Sequence, residues 1–337
     1  MSHTPEARGK QSIRCLLFDL GDTLWYREDQ ESWEQLESTS NRRAADLLRQ
    51  HIAAALLPAV DDRSLGQHLR QAFDEQIRTM IRHTPLLEPD ASQAIQSVLR
   101  TWGIDGIDSS LSSALFEALR VRIPNSRPLF ADALTTLAAL RHRGFLLGVV
   151  TNRLWGGEPF YKDLATIGLL DYFELQHVAI SGDLGIRKPN PGIFEHALKS
   201  LQVAPQETAM IGDSLSADIL GAQPLGITAI WKPKPWLSAW ALAHVATTPM
   251  QATSQPHPLS LGTFPGIDTA DAQIEERAED RAIVPKGMHV TDDDYILARA
   301  DNSSDYLEQF RRGEIRPDHV IGQLADLLNI FPKTGQS

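Results

Sequence analysis

Short apolar runs alternate with helix-like stretches over much of this chain. The apolar runs cover residues 15–18, 145–150, 178–180, 208–211 and 227–231, and their length is typical of buried strands. Helix-like stretches at 131–141, 161–167, 194–201 and 217–222 separate the later runs. Repeated units of this βα kind predict an α/β fold with a doubly wound parallel sheet. A final short strand and helix are expected within residues 316–332.

Residues 26–128 have a different pattern, because apolar side chains recur there every three to four positions. The series that runs from Trp33 to Met80 is interrupted by Pro58 and followed by Pro85 and Pro89, which predicts separate helices packed as a bundle. A bundle inserted between the first and second strands can close over the end of the first strand. We therefore expect a helical cap there.

The stretch between residues 236 and 315 breaks the βα alternation and is rich in Pro, Thr, Ser and Gln around residues 247–265. We expect it to be an irregular, partly disordered insertion with one short helix near 306–311. The predicted domains are a flexible tail at 1–11, an α/β core at 12–25, 129–235 and 316–332, the helical cap at 26–128, and the insertion at 236–315.

The charge composition bears on which molecules the protein can bind. The 337 residues include 43 Asp and Glu against 32 Lys and Arg, an acidic balance that argues against broad contact with nucleic acid or an anionic membrane. Cys15, the single cysteine, lies in an apolar run, where a packed thiol is expected. The sequence shows neither a signal-like leader nor an apolar run long enough to span a bilayer. We expect a cytoplasmic protein.

Polar residues with complementary chemistry follow the predicted strands. Asp19 ends the first strand and is the candidate nucleophile, since a carboxylate can attack phosphorus to form an aspartyl phosphate. Thr151 and Asn152 end the second strand and can offer a hydroxyl and an amide to phosphoryl oxygens. Lys188 can neutralise the charge of the nucleophile and the phosphoryl group. Because parallel strands end at one edge of a sheet, these groups predict a site for phosphoryl transfer there.

Two further carboxylates follow the fourth apolar run. Asp213 and Asp218 lie in the sequence Gly-Asp-Ser-Leu-Ser-Ala-Asp, so both can lie at one strand-to-helix turn. Hard carboxylate oxygens, together with phosphate oxygens and water, suit octahedral Mg²⁺. The sequence therefore predicts Mg²⁺ as a cofactor and a small phosphorylated metabolite as the substrate.

Taken in order, these four motifs resemble those of the haloacid dehalogenase-like (HAD) superfamily hydrolases, in the subfamily I branch with a helical C1-type cap. The resemblance implies a Rossmann-like core and a cap that carries much of the substrate selectivity. It also implies that Asp213 binds the metal directly and Asp218 supports the metal shell. Asp19 and the backbone carbonyl of Gly21 would be the other ligands.

Gly21 is the main departure from this pattern. Phosphatases of the resembled family carry a second aspartate two residues after the nucleophile, where it acts as general acid and base. Such assistance contributes about 10²–10⁴ in rate, so a slow enzyme or one with an activated substrate is expected. Asp22 is the candidate substitute.

Three functions are consistent with these residues. A magnesium-dependent phosphatase acting on a small phosphate monoester uses all four motifs. A 2-haloacid dehalogenase-type hydrolase needs no acid at its leaving group, which accommodates Gly21. A weakly active phosphate-ligand binding or regulatory protein is the third, and a protein partner could then bind through residues 236–315, although no sequence feature supports such a partner.

Overall fold

The computed structural model describes residues 12–26, 30–247 and 304–332, so the predicted tail at 1–11 lies outside the described residues. Six strands form one sheet in the order β3-β2-β1-β4-β5-β6, and every neighbouring pair is parallel. The strands are β1 Cys15–Phe18, β2 Leu146–Thr151, β3 Val178–Ile180, β4 Thr208–Gly212, β5 Thr228–Trp231 and β6 His319–Val320. The predicted doubly wound α/β fold is confirmed.

Helices cover both faces of this sheet and form the inserted bundle. In chain order they are α1 Gln30–His51, α2 Asp62–His83, α3 Ala91–Thr101, α4 Ser109–Leu119, α5 Ile123–Ser126, α6 Ala133–His142, α7 Gly157–Thr166, α8 Ser181–Leu184, α9 Pro191–Leu201, α10 Leu220–Ala222, α11 Pro235–Thr247, α12 Ser304–Arg311 and α13 Leu327–Ile330. A π-helical turn, Leu215–Ile219, leads directly into α10.

The first strand shows how the core is divided. Side chains of a strand point alternately to the two faces of its sheet. Leu16 and Phe18 accordingly pack with the side chains of α6, α7 and α13. Cys15 and Leu17 pack on the opposite face with α9, α10 and α11. Burial raises the pKa of the Cys15 thiol to about 12, which agrees with the predicted packed thiol.

The inserted bundle has its own hydrophobic core. Helices α1 to α4 bury an apolar cluster that includes Leu48, Phe73 and Leu115. A Cβ at Gly66 of α2 would lie 1.9 Å from the carbonyl oxygen of Asn41 in α1. Only glycine therefore allows these two long helices to approach so closely. The bundle that the sequence predicted between β1 and β2 is present.

Residues 236–247 are helical, which differs from the irregular structure expected there. Helix α11 follows β5 and buries Leu237 and Ala241. Helix α12 agrees with the short helix expected near 306–311, and its Phe310 ring lies 4.7 Å from the Trp231 ring, between centroids. Residues 248–303 lie outside the described part of the chain. Among the described helices, none is long and apolar enough to cross a bilayer.

Candidate active site

The carboxyl ends of β1, β2 and β4 bring most of the predicted site residues to one edge of the sheet. Asp19 follows β1 directly, Thr151 is the last residue of β2, and Asp213 follows β4. The backbone N–H of Asp19 donates to the carbonyl of Ile211 at 2.9 Å, which continues the β1–β4 ladder up to the carboxylate. All three functional side chains are buried.

Lys188 lies at the centre of this arrangement. Its Nζ donates to Asp19 Oδ1 at 2.6 Å, to Asp218 Oδ1 at 2.7 Å and to the carbonyl oxygen of Val150 at 2.8 Å. The ammonium therefore joins the loop after β1, the end of β2 and the turn after β4. A three-donor group is fully satisfied by this geometry.

Burial and charge compete at this ion pair. Burial raises the pKa of Asp19 to about 6, although the Lys188 ammonium opposes that rise. Burial also acts to lower the pKa of Lys188, but the carboxylates of Asp19 and Asp218 outweigh it and raise the pKa above its usual value. The cluster therefore holds the proton on Lys188, while the pKa of Asp19 is raised towards neutrality.

Three carboxylates come close enough to share one cation. Asp19, Asp213 and Asp218 each offer an oxygen, and these oxygens all lie within 4.8 Å of one another. Burial raises the pKa of Asp213 well above its ordinary value, because a buried site disfavours negative charge that no cation balances. Hard oxygen ligands in this number fit Mg²⁺.

Asp218 is already held by two donors. Its Oδ1 accepts from Lys188, and its Oδ2 accepts from the backbone N–H of Ser214 at 3.0 Å. A Cβ at Gly212 would lie 2.0 Å from that Oδ2, so a glycine is needed for this close approach. The supporting role of Asp218 in the metal shell stays a prediction.

The amide of Asn152 contacts the backbone of Lys188. Its Nδ2 donates to the carbonyl oxygen of Lys188 at 3.0 Å, and its Oδ1 accepts from the Lys188 backbone N–H at 2.7 Å. Both amide atoms thus hold the backbone of Lys188, and the contact of Asn152 with phosphoryl oxygens stays a prediction. Thr151 lies beside them, buried at the end of β2, and its phosphate contact stays a prediction.

Two lysines that the sequence analysis did not single out reach the same edge. Lys234 Nζ lies 2.8 Å from Asp22 Oδ2 and 3.7 Å from Asp213 Oδ2. Lys232 Nζ donates to the carbonyl oxygen of Asp22 at 3.0 Å and lies 3.6 Å from the centroid of the Phe130 ring. Their position directly after β5 was the available signal, because residues that follow a parallel strand arrive at the carboxyl edge.

Asp22 is therefore placed by these lysines. Its backbone has a positive φ of 51°, and its carboxylate pairs with Lys234 while remaining partly exposed. The candidate acid/base role of Asp22 stays a prediction.

The cap contacts the loops that carry the candidate site residues. The N–H of Glu88 donates to the carbonyl of Gly185 at 3.0 Å, and the N–H of Arg187 donates to that of Leu86 at 3.2 Å. From the other side, the Trp155 ring enters the cap core and stacks on Phe116 with centroids 4.6 Å apart. The cap therefore touches both the Lys188 loop and the loop after β2.

A buried ion pair joins the end of the cap to the core. Asp163 of α7 is fully buried and accepts from Arg120 at 2.8 Å, from Arg122 at 2.8 and 3.0 Å, and from the N–H of Ile123 at 3.2 Å. These donors lie where the chain leaves α4 and returns to the core. The connection joins residues more than forty positions apart, so no local sequence pattern indicates it.

Comparison with known proteins adds independent findings. A family model described as haloacid dehalogenase-like hydrolase matches residues 13–226. The chain is 30% identical over 218 residues to the glyceraldehyde 3-phosphate phosphatase of Methanopyrus kandleri, which covers 65% of this chain and 83% of that protein. It is 42% identical over 106 residues to the phosphoserine phosphatase of Thermus thermophilus, covering 31% of this chain and 40% of that protein. The structure of the Bacillus subtilis HAD-hydrolase YfnB aligns with 96% of this chain and 100% of that chain, at 19% identity and a TM-score of 0.47.

Proposed function

The chain belongs to the haloacid dehalogenase-like hydrolases, and we propose that it is a magnesium-dependent phosphatase that cleaves a small phosphate monoester through an aspartyl phosphate on Asp19. The observation that carries the proposal is the buried contact of Lys188 with Asp19 and Asp218, beside the carboxylate of Asp213. The curated relatives named above are phosphatases of small phosphorylated metabolites, which supports the same class of substrate.

In the first step, an oxygen of the Asp19 carboxylate attacks phosphorus. A bond from that oxygen to phosphorus forms while the bond to the ester oxygen breaks, and the leaving alcohol takes up a proton. Lys188 holds Asp19 Oδ1 and keeps a positive charge beside the developing phosphoryl charge. In the second step, water attacks the aspartyl phosphate, which releases phosphate and restores Asp19.

Asp19, Asp213 and the carbonyl of Gly21 would hold Mg²⁺ directly, with Asp218 supporting them. When bound, the metal ion supplies positive charge to the transferring phosphoryl group. Asn152 fixes the backbone of Lys188, which positions the ammonium beside Asp19. Thr151 would donate its hydroxyl to a phosphoryl oxygen.

The proton for the leaving group is the weak point of this site, because Gly21 has no side chain to supply it. We expect activated esters to react fastest, since acyl and aryl leaving groups are stable as anions. The cap, whose loop at 86–88 pairs with the Lys188 loop, would select the organic part of the substrate. The cytoplasmic location stays a prediction from the sequence.

The test is phosphate release by the purified protein. Acetyl phosphate, p-nitrophenyl phosphate and the substrates named for the relatives are offered with Mg²⁺ or with a chelator, and wild type is compared with Asp19→Asn. Asp105→Asn, at an exposed cap position, is the matched control. We expect metal-dependent release by wild type and the control, and none by Asp19→Asn.

Two outcomes would replace the proposal. Halide release from a 2-haloacid in the presence of chelator would establish the dehalogenase-type alternative. Tight binding of phosphate esters by folded protein, with no product after long incubation, would instead establish a phosphate-responsive binding protein.

A further inference from the structure

The two lysines after β5 add positive charge where the metal would bind. Four carboxylates meet at this edge, from Asp19, Asp22, Asp213 and Asp218, and three ammonium groups face them, from Lys188, Lys232 and Lys234. With all seven groups in their charged forms, these side chains carry one negative charge in excess. Without the two lysines after β5, the excess would be three.

Lys234 has a distinct place among the three lysines. Lys188 joins Asp19 to Asp218, and Lys232 contacts the backbone oxygen of Asp22 and the Phe130 ring. Lys234 lies between two carboxylates, at 2.8 Å from Asp22 and 3.7 Å from Asp213. Its Nζ thus pairs with the carboxylate of Asp213, and Asp213 is the residue expected to bind the metal directly.

We propose that Lys234 is an internal counter-cation of the magnesium site, which lowers the affinity of the metal-free protein for Mg²⁺, and that Asp22 limits this effect by pairing with it. The proposal rests on the metal site of the proposed function. Lys234 and Asp213 share a buried environment, where a positive charge acts strongly on a second cation because water screens it little.

The segment after β5 is fixed in place by contacts with the neighbouring loops. Lys232 donates to the Asp22 carbonyl while Lys234 pairs with its carboxylate, so the segment after β5 holds the turn after β1 at two points. The Trp231 indole N–H also donates to the carbonyl of Asp213 at 2.7 Å. The same segment is therefore fixed to both loops that supply metal ligands. It lies beyond residues 13–226, where the family model matches.

Removing Lys234 and removing the charge of Asp22 should change the Mg²⁺ affinity in opposite directions. Lys234→Met removes the cation and leaves the Asp22 carboxylate, so Mg²⁺ should bind at least about tenfold more tightly. Asp22→Asn removes an anion and leaves the charge of Lys234 to act on Asp213, so Mg²⁺ should bind several-fold more weakly. Lys234→Arg keeps the charge and should leave the affinity within about twofold of wild type.

The experiment measures Mg²⁺ affinity by isothermal titration calorimetry without substrate, on full-length protein whose fold is checked by circular dichroism. Lys162→Met is the matched control, because Lys162 is an exposed lysine paired with Glu158 on α7, away from this edge. The proposal is supported by tighter binding in Lys234→Met together with weaker binding in Asp22→Asn.

Unchanged or weaker binding in folded Lys234→Met overturns the proposal, and so does tighter or unchanged binding in Asp22→Asn. If Lys234→Met does not fold, the Asp22→Asn and Lys234→Arg affinities decide the question alone. The proposal about Lys234 is judged by metal affinity, whereas the proposed function is judged by Asp19-dependent phosphate release. Failure of one can therefore be told apart from failure of the other. Absence of Mg²⁺ binding in both wild type and Lys234→Met overturns the metal site itself.

Discussion

Replacing Lys188 by methionine should separate the structural and the catalytic parts of the buried ion cluster. The substitution keeps most of the side-chain volume and removes the three hydrogen bonds to Asp19, Asp218 and the Val150 carbonyl. Two buried carboxylates then face each other without a cation. Removal of one partner from a buried pair costs about 3–5 kcal/mol, so we expect Lys188→Met to lower the free energy of unfolding of metal-free protein by about that amount at neutral pH.

The cost should depend on pH with a defined sign. The pKa of Asp19 is raised to about 6 even with Lys188 in place, and loss of the ammonium raises it further. Between the unfolded and folded pKa values the folded protein binds more protons, so its stability falls as pH rises. The difference between Lys188→Met and wild type should therefore be smaller near pH 5 than near pH 7.

A second substitution shows whether the charge is responsible. In Lys188→Met/Asp218→Asn one buried carboxylate is removed with the cation, and we expect a large part of the lost stability to return. Activity should not return, because the charge beside Asp19 is still missing. A loss of about 10²–10³ in kcat is expected for both variants.

The assay is urea unfolding in chelator, followed by circular dichroism, with phosphate release measured on the same samples. Lys199→Met, at an exposed position of α9, is the control and should change stability by less than about 0.5 kcal/mol. A loss below about 1 kcal/mol in Lys188→Met, or no recovery of stability when Asp218→Asn is added, would show that the buried charges do not contribute in this way.

Three further predictions test other parts of the molecule. Asp163→Ala removes the carboxylate that pairs with Arg120 and Arg122 at the end of the cap, and it should lower the free energy of unfolding by about 3–5 kcal/mol. A loss below about 1 kcal/mol in urea unfolding would contradict this role. Burial lowers the pKa of Lys232 from 10.5 to about 8, so between about pH 8 and pH 10 the unfolded chain binds more protons and stability should rise with pH. Lys232→Met should remove part of that rise in urea titrations, and an unchanged slope would show that its burial carries no such cost. Asn152→Ala should lower kcat by about 10–100-fold with little change in KM, since the amide positions Lys188. A raised KM at constant kcat would instead indicate the contact with phosphate that the sequence predicts.

Most of the fold was predictable because its signals are local. The apolar runs mark buried strands wherever they occur, and the βα alternation leaves few topologies for a parallel sheet. The placement of Asp19, Thr151 and Asp213 at strand ends then follows from strand direction alone. The bundle between β1 and β2 was likewise visible, because its apolar residues recur at helical spacing.

Helix α11 shows where local pattern reading failed. Its sequence, Pro-Trp-Leu-Ser-Ala-Trp-Ala-Leu-Ala-His-Val-Ala-Thr, is apolar on most sides, so it has no clear one-sided stripe to read. It also follows the Lys-Pro-Lys-Pro run, which suggested the start of an irregular segment. Packing of Leu237 and Ala241 against the sheet stabilises the helix, and that contact is not encoded in spacing.

Strand polarity and motif order are properties of the chain, so the sequence is enough to predict which chemical groups arrive at the carboxyl edge of the sheet. How those groups pair depends on the folded arrangement. The amide of Asn152 turns to the Lys188 backbone, and Trp155 enters the cap core. Lys234 meets Asp22 across more than two hundred residues, since β5 lies two strands from β1 in the sheet. Such pairings depend on strand order and loop packing, which are non-local and leave no periodic signal in the sequence.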